Sequence, residues 1–319
     1  MSKALVIGEG GLLGSHLRSE LQSQGFSVFS HAQSFSWEDA EMLSKQFQFV
    51  IEEFAKTVNS GEDWSIYWSA GISTMHSSEQ DLLKETYQFN EFIQVTLKSG
   101  LDLSKGVLIF SSSAGAVYAG SKERLITEHS PVAPINPYGL EKLKQEKLLA
   151  TIMFEYSELT ILIARISTLY GVRNRRSSRQ GLLAQISRNV VLNQPIHIYV
   201  PLETMRDYIH AQDAALCIIK TVRVIQNKGG GIFTKIVAYE KTHSIADIMG
   251  IFKRMSHKNL RTIHYAIPST EYYKRNAQLR SVNFIESSKT YRRNLLIGIS
   301  QLIQYDKTHL ANRVMTTVN

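Results

Sequence analysis

The sequence predicts an α/β fold built on a doubly wound parallel sheet, with a smaller mixed C-terminal region. Three observations predict it. The apolar run Ala4-Leu5-Val6-Ile7 enters a glycine-dense turn, Gly8-Glu9-Gly10-Gly11, and then a helical pattern carried by Leu12, Leu13, His16, Leu17 and Leu21. Further apolar runs that read as buried strands, Trp64–Ser69 and Val107–Phe110, are separated by a long helical pattern from Glu79 to Leu97. At 319 residues, 43% of them hydrophobic, the chain suits one large domain or two intimate ones.

Each element has a local reason. Strand, glycine turn and helix in that order form a dinucleotide-binding opening. Gly8 allows the tight turn, Gly11 lets backbone approach a pyrophosphate, and Gly14 lets the helix pack on the strand. The helix N-terminus adds free N–H groups and a positive dipole end. Gly25–Ser30 reads as a second strand. An acid at its end would bind a ribose 2′-hydroxyl and repel a 2′-phosphate. Here stand Ser30, His31 and Ala32, with Arg18 on the first helix in reach, so NADP is favoured over NAD. Trp37–Val58 has helical spacing, and no third strand is evident before it. The strand from Trp64 ends in Ala70-Gly71, small enough for a cofactor to lie close. Val107–Phe110 ends in Ser111-Ser112-Ser113, hydroxyls at the sheet edge where such folds place their chemistry.

Pro131, Pro134 and Pro137 punctuate the next loop. A helix then carries Tyr138 and Lys142, four apart and so on one face. An ammonium beside a phenol favours the phenolate and lowers the Tyr pKa. Later, Gln185–Val191 reads as a helix, Gln194–Tyr199 as a strand, and Gly229-Gly230-Gly231 as a turn before a last sheet strand at 232–237. Ser244 and Asp247 mark the start of a helix to Met255. Residues 256–319 are weakly patterned, and those past about 306 read as a loose tail.

Composition narrows the class. The net charge of +8 favours anionic ligands such as nucleotides. The lone Cys217 sits in an apolar run and reads as core. One cysteine permits no internal disulfide, which fits a reducing cytoplasm. No apolar run approaches the roughly 18 residues a membrane span requires, and the N-terminus lacks a signal pattern.

From residue 4 to about 219, with a weaker echo to about 303, the chain resembles the short-chain dehydrogenase/reductase superfamily. More closely it resembles the extended branch of nucleotide-sugar epimerases, dehydratases and ketoreductases. The motifs that carry this are Gly8–Gly14, Ser69-Ala70-Gly71, Asn90, Ser111–Tyr118, Pro137–Lys142 and Arg206-Asp207-Tyr208-Ile209-His210-Ala211-Gln212-Asp213. The resemblance implies a Rossmann-type dinucleotide-binding domain at 1–170 plus about 205–242, and a substrate-binding region at 171–204 plus about 243–319.

It also implies roles. Tyr138 would be the general acid/base and Lys142 would lower its pKa and hold the nicotinamide ribose. Ser113, or Ser112 if the register shifts by one, would hydrogen-bond the reacting oxygen. Gly8, Gly11, Leu12, Leu13, Gly14, Ser30, His31, Ala70, Gly71 and Asn90 would contact the dinucleotide. Thr168, Arg173 and Arg206 would contact substrate, Arg206 as a bidentate partner of its pyrophosphate. Asp213 would cap a helix starting at Ala214. Family dehydratases carry an acidic pair where this chain has Ala114-Gly115-Ala116, which disfavours 4,6-dehydration.

The function implied is 4-ketoreduction or epimerisation of a nucleotide sugar. A homodimer through the helices near 79–98 and 138–155 is implied as well. The alternative is a non-catalytic dinucleotide-sensing or RNA-associated protein on the same fold. The basic run Arg173–Arg179 fits an anion clamp or a solvated loop. Its lack of aromatics argues against single-strand recognition.

Overall fold

The computed structural model describes residues 2–31, 34–71, 73–75, 77–172, 181–265, 277–284 and 292–316, with side chains to 310. The chain runs β1 (Lys3–Ile7), α1 (Leu12–Ser23), β2 (Ser27–Phe29), α2 (Ala40–Thr57), β3 (Trp64–Trp68) and α3 (Glu79–Leu97). Next come β4 (Gly106–Ser113), α4 (Ala114–Val117), β5 (Leu125–Ile126), α5 (Pro137–Ile152) and β6 (Thr160–Ile166). Then follow β7 (Thr168–Tyr170), α6 (Leu182–Val191), β8 (Ile196–Ile198), β9 (Met205–His210), α7 (Ala211–Ile225) and β10 (Gly231–Val237). The last are β11 (Thr242–Ser244), α8 (Ile245–Ser256), β12 (Thr262–His264), β13 (Gln278–Leu279) and α9 (Leu295–Thr316).

Six strands form one parallel sheet in the order β10-β6-β4-β3-β1-β2. Strand alternation splits its two faces. Leu5 and Ile7 join Phe47, Phe54, Trp68, Phe89, Phe92, Phe110 and Leu149 under α2, α3 and α5. Ala4 and Val6 join Leu13, Leu17, Tyr67, Ile109, Ala214 and Ile218 under α1 and α7. Cys217 is buried in that second layer. The chain steps outward from β1 to β2, then crosses to β3 on the other side. That reversal opens a crevice at the strand C-termini, where such sheets bind ligands. β2 is the sheet edge, in keeping with the missing third strand.

A second cluster packs α6, α8 and α9 together through Leu183, Ile186, Val190, Ile248, Phe252, Ile299 and Leu302. Smaller sheets pair β11-β9-β7, β12-β8 and β13-β5. Ser244 caps α8 in a reciprocal capping box with Asp247.

Two expectations are corrected here. The helix after the Arg-Asp-Tyr-Ile-His stretch begins at Ala211, and its cap is His210, not Asp213. Asp213 lies in the first turn, fully buried, and pairs with Arg293. Nor is the end of the chain loose from 306, because α9 continues to Thr316. The apolar residues of that helix up to Ile303 close the second cluster.

Two glycines of the opening turn are fixed by packing. A Cβ on Gly14 would lie 2.2 Å from the Gly8 carbonyl oxygen. One on Gly8, which has φ +89°, would lie 2.6 Å from the Ala70 amide nitrogen. Gly10 has nothing within 4 Å of a Cβ position. Gly14→Ala should therefore destabilise the protein by about 1–3 kcal/mol, read as a fall in melting temperature. Gly10→Ala should leave the melting temperature unchanged.

Candidate active site

A cleft of about 860 Å³ opens at the C-terminal edge of β1, β3 and β4, within the range of small-molecule sites. Of the residues singled out from the sequence, Gly8, Gly11, Leu12, Leu13, Ala70, Gly71, Ser112, Ser113, Tyr138, Lys142, Thr168 and Arg206 line it. Gly14 stands behind the turn as a packing residue. Ser30, His31 and Asn90 are not on the cleft wall. Ser30 instead accepts a hydrogen bond from Arg18 at 3.2 Å, and the same guanidinium pairs with Glu9 at 2.9 Å. His31 packs its ring on Phe35. Asn90 lies farther along α3 than Glu85 and Gln88, which do reach the cleft. Arg173 and the rest of the basic run to Arg179 lie outside the described residues.

The turn after β1 can receive an anion. Gly11 is the N-cap of α1 and offers no side-chain cap, so the first amides of a 12-residue helix face the cleft end of the turn. Gly8, Gly10 and Gly11 all line the cleft there. These residues fit a dinucleotide pyrophosphate.

Asn136 caps α5 by accepting from the Gly139 amide at 2.8 Å, and Pro137 starts the helix. This places Tyr138 and Lys142 on the face turned to the sheet edge. Lys142 is buried and donates to Glu85 Oε1 at 2.9 Å and Gln145 Oε1 at 3.0 Å. Its Nζ lies 5.8 Å from the centre of the Tyr138 ring and 5.2 Å from that of Phe110. Burial alone would lower the Lys142 pKa, but Glu85 and the Tyr138 oxygen outweigh it and the net shift is upward. Glu85 is correspondingly held low, because Lys142 and Ser73 outweigh its own burial.

Tyr138 does not follow the expectation of a lowered pKa. Burial pushes its phenol above the ordinary value; Lys142 and a hydrogen bond with Ser113 pull down, while Glu85 pushes up. The two serines separate cleanly. Ser113 meets Tyr138, whereas Ser112 donates to Glu146, about two turns farther along α5, at 2.6 Å.

Glu85, Gln145 and the Glu146–Arg165 pair escaped sequence reading. Their signal was present: Leu82, Glu85, Phe89, Phe92 and Thr96 share the buried stripe of α3, so an acid sits at a core position. The Arg-Asp-Tyr-Ile-His stretch is largely structural. Only Arg206 and Asp207 of it reach the cleft. Asp207 accepts from the Tyr239 and Lys241 amides at 2.9 and 3.0 Å. Tyr208 and Ile209 are core.

His210 caps α7 by accepting the Gln212 amide on Nδ1 at 3.2 Å. Burial, with Arg293 and His16 beside it, holds its pKa down to about 3. The unfolded chain takes up a proton near 6.5 that the folded one refuses. Stability therefore falls as pH drops from 6.5 toward 3, by up to about 1.4 kcal/mol per pH unit for this group. Urea unfolding between pH 6.5 and 5 should show this loss. The loss should be smaller in His210→Asn, which keeps a capping acceptor.

A family model described as the NAD dependent epimerase/dehydratase family matches residues 4–234. The chain belongs to that family. It is an enzyme of the extended short-chain dehydrogenase/reductase type. It is 26% identical over 223 residues to the dTDP-4-dehydro-6-deoxyglucose reductase of Escherichia coli, covering 66% of this chain and 69% of that one. It is 25% identical over 285 residues to the UDP-glucose 4-epimerase of Dictyostelium discoideum, covering 81% and 82%. The solved UDP-glucose 4-epimerase of Bifidobacterium longum, in complex with NAD+ and UDP, superposes with a TM-score of 0.73 at 18% identity, over 97% of this chain and 98% of that one. That likeness speaks for the fold. Among the described residues no helix is long and apolar enough to cross a membrane.

Proposed function

We propose that this family member acts on a nucleotide sugar by 4-ketoreduction or 4-epimerisation, with Tyr138 moving the proton. The observation that carries the reading is the Ser113–Tyr138–Lys142 arrangement on the wall of a cleft that begins at the glycine turn. The nicotinamide, when bound, supplies the hydride acceptor or donor. Tyr138 exchanges a proton with the sugar oxygen, Ser113 hydrogen-bonds that oxygen, and Lys142 holds the nicotinamide ribose. Arg206, which also lines the cleft, binds the sugar nucleotide's pyrophosphate. Thr168 contacts the sugar, and Ala114-Gly115-Ala116 supplies no acid for eliminating water.

The sheet unit binds dinucleotide, and residues 171–204 with 243–319 receive substrate. Exposed Leu83, Tyr87 and Leu140 on α3 and α5 support a homodimer through those helices. The lone buried cysteine supports a cytoplasmic setting.

The absence of an acid after β2, with Arg18 at Ser30, supports NADP over NAD. Arg18→Ala should weaken NADPH binding about tenfold or more while changing NADH binding little, as a charge-assisted contact to phosphate is lost. Calorimetric titration of both dinucleotides checks this; tighter NADH binding by the native protein contradicts it. Product analysis then separates the two reactions: ketoreduction consumes one reduced dinucleotide per sugar, and epimerisation consumes none.

A further inference from the structure

We propose that Glu85 is a positioning residue that fixes Lys142 and offsets part of its charge, so that Lys142 faces Tyr138 as a tethered, partly neutralised cation. This rests on the reading of Tyr138 given above. The carboxylate is held from three sides. It accepts from Lys142 at 2.9 Å through Oε1 and from the Ser73 amide at 3.1 Å through Oε2. Against its other flank stands Gly71, φ +145°, where a Cβ would lie 2.8 Å from Oε1. Both ion-pair side chains are about nine-tenths buried, with 7% and 10% exposure, so solvent screens the pair little.

Gln145 completes the clamp. Its amide nitrogen donates to Thr86 at 2.9 Å, which turns the amide oxygen to Lys142. Two of the three ammonium protons are thereby committed to Glu85 and Gln145. The glycine loop after β3, helix α3 and helix α5 meet at this one carboxylate.

The charges facing the pair are few. Lys142 sees Glu85 from α3, and Tyr138 and Glu146 from α5. Tyr138 sees Lys142, Glu85 and the Ser113 hydroxyl. Glu146 is itself paired with Arg165. Burial is the largest influence holding the Tyr138 phenol protonated, and Glu85 is the carboxylate that adds to it against the pull of Lys142. A protonated phenol is ready to give its proton to a ketone oxygen; taking one from a sugar hydroxyl calls for higher pH.

The test reads Tyr138 directly. The chain has 14 tyrosines, so tyrosinate absorbance is followed against pH for each protein minus its Tyr138→Phe counterpart. Glu85→Gln removes the charge and keeps the shape. It should move the Tyr138 titration down by about one pH unit or more. Gln145→Glu adds a charge at the same ammonium and should move it up. Glu85→Asp should restore most of the native value. The alkaline limb of kcat should follow the same order. A Tyr138 titration unmoved in folded Glu85→Gln or folded Gln145→Glu overturns the proposal. If Glu85→Gln does not fold, Gln145→Glu decides. The absorbance titration needs no substrate, so a failure of the sugar reaction would show separately, as a normal shift without turnover.

Discussion

Replacing Tyr138 with Phe is expected to cut turnover by about 10²–10⁴-fold, the usual worth of a positioned acid/base. Dinucleotide affinity should stay within about twofold, because the ring still packs and only one hydroxyl is lost. The effect belongs in kcat more than in KM, since the proton moves only as the reaction proceeds. Ser113→Ala should give a smaller loss, as it removes a hydrogen bond and leaves the acid in place. Ser112→Ala should act on stability instead, because the Ser112 hydroxyl is committed to the buried Glu146 carboxylate. Steady-state kinetics of the three variants separates the serines. Equal kinetic losses at Ser112 and Ser113 would contradict the assignment.

Removing Glu146 is expected to cost about 3–5 kcal/mol of stability. Its carboxylate accepts from Arg165 Nε at 3.1 Å, from Arg165 Nη2 at 2.6 Å and from Ser112. The fourth member is Tyr118, whose oxygen accepts from Arg165 Nη1 at 2.5 Å. The side chains of Arg165 and Glu146 are only 10% and 4% exposed. Glu146→Ala would leave a guanidinium buried without its anion. The network joins β4, β6, the end of α4 and α5, so the damage should reach the floor of the catalytic helix. Replacing both partners, Glu146→Leu with Arg165→Met, should recover much of the loss, since a well-packed apolar pair avoids the desolvation cost. Chemical denaturation of the single and double variants measures it.

The parts of this molecule that follow from short-range rules were legible in the sequence. Val6-Ile7-Gly8 reads as strand into turn because backbone conformation and side-chain size act locally there. Helix α3 spans Glu79–Leu97, the bounds of the helical pattern in the sequence. Tyr138 and Lys142 fall on one face by helical geometry alone. What was not legible depends on groups far apart in the chain. Lys142 meets Glu85 across 57 residues, and it is burial of the Tyr138 phenol, with Glu85 adding to it, that reverses the pKa direction the Tyr–Lys spacing suggested. Asp213 has the residue type of a cap, but its partner Arg293 lies 80 residues on, and the imidazole of His210 does the capping. The serine register needed partners distant in the chain: Ser112 meets Glu146 and Ser113 meets Tyr138, and sequence spacing alone left both open.

The central claim is that this cleft carries out nicotinamide-linked chemistry on a nucleotide sugar through Tyr138. The most direct measurement mixes the native protein, and its Tyr138→Phe variant, with reduced dinucleotide and a panel of nucleotide-activated 4-ketosugars, and follows the reduced nicotinamide spectroscopically. The account predicts its oxidation with at least one member by the native protein. It predicts the loss of that oxidation in the variant, which still binds dinucleotide. A native protein that binds dinucleotide yet oxidises none with any member, and instead binds RNA with strong salt dependence, would contradict it.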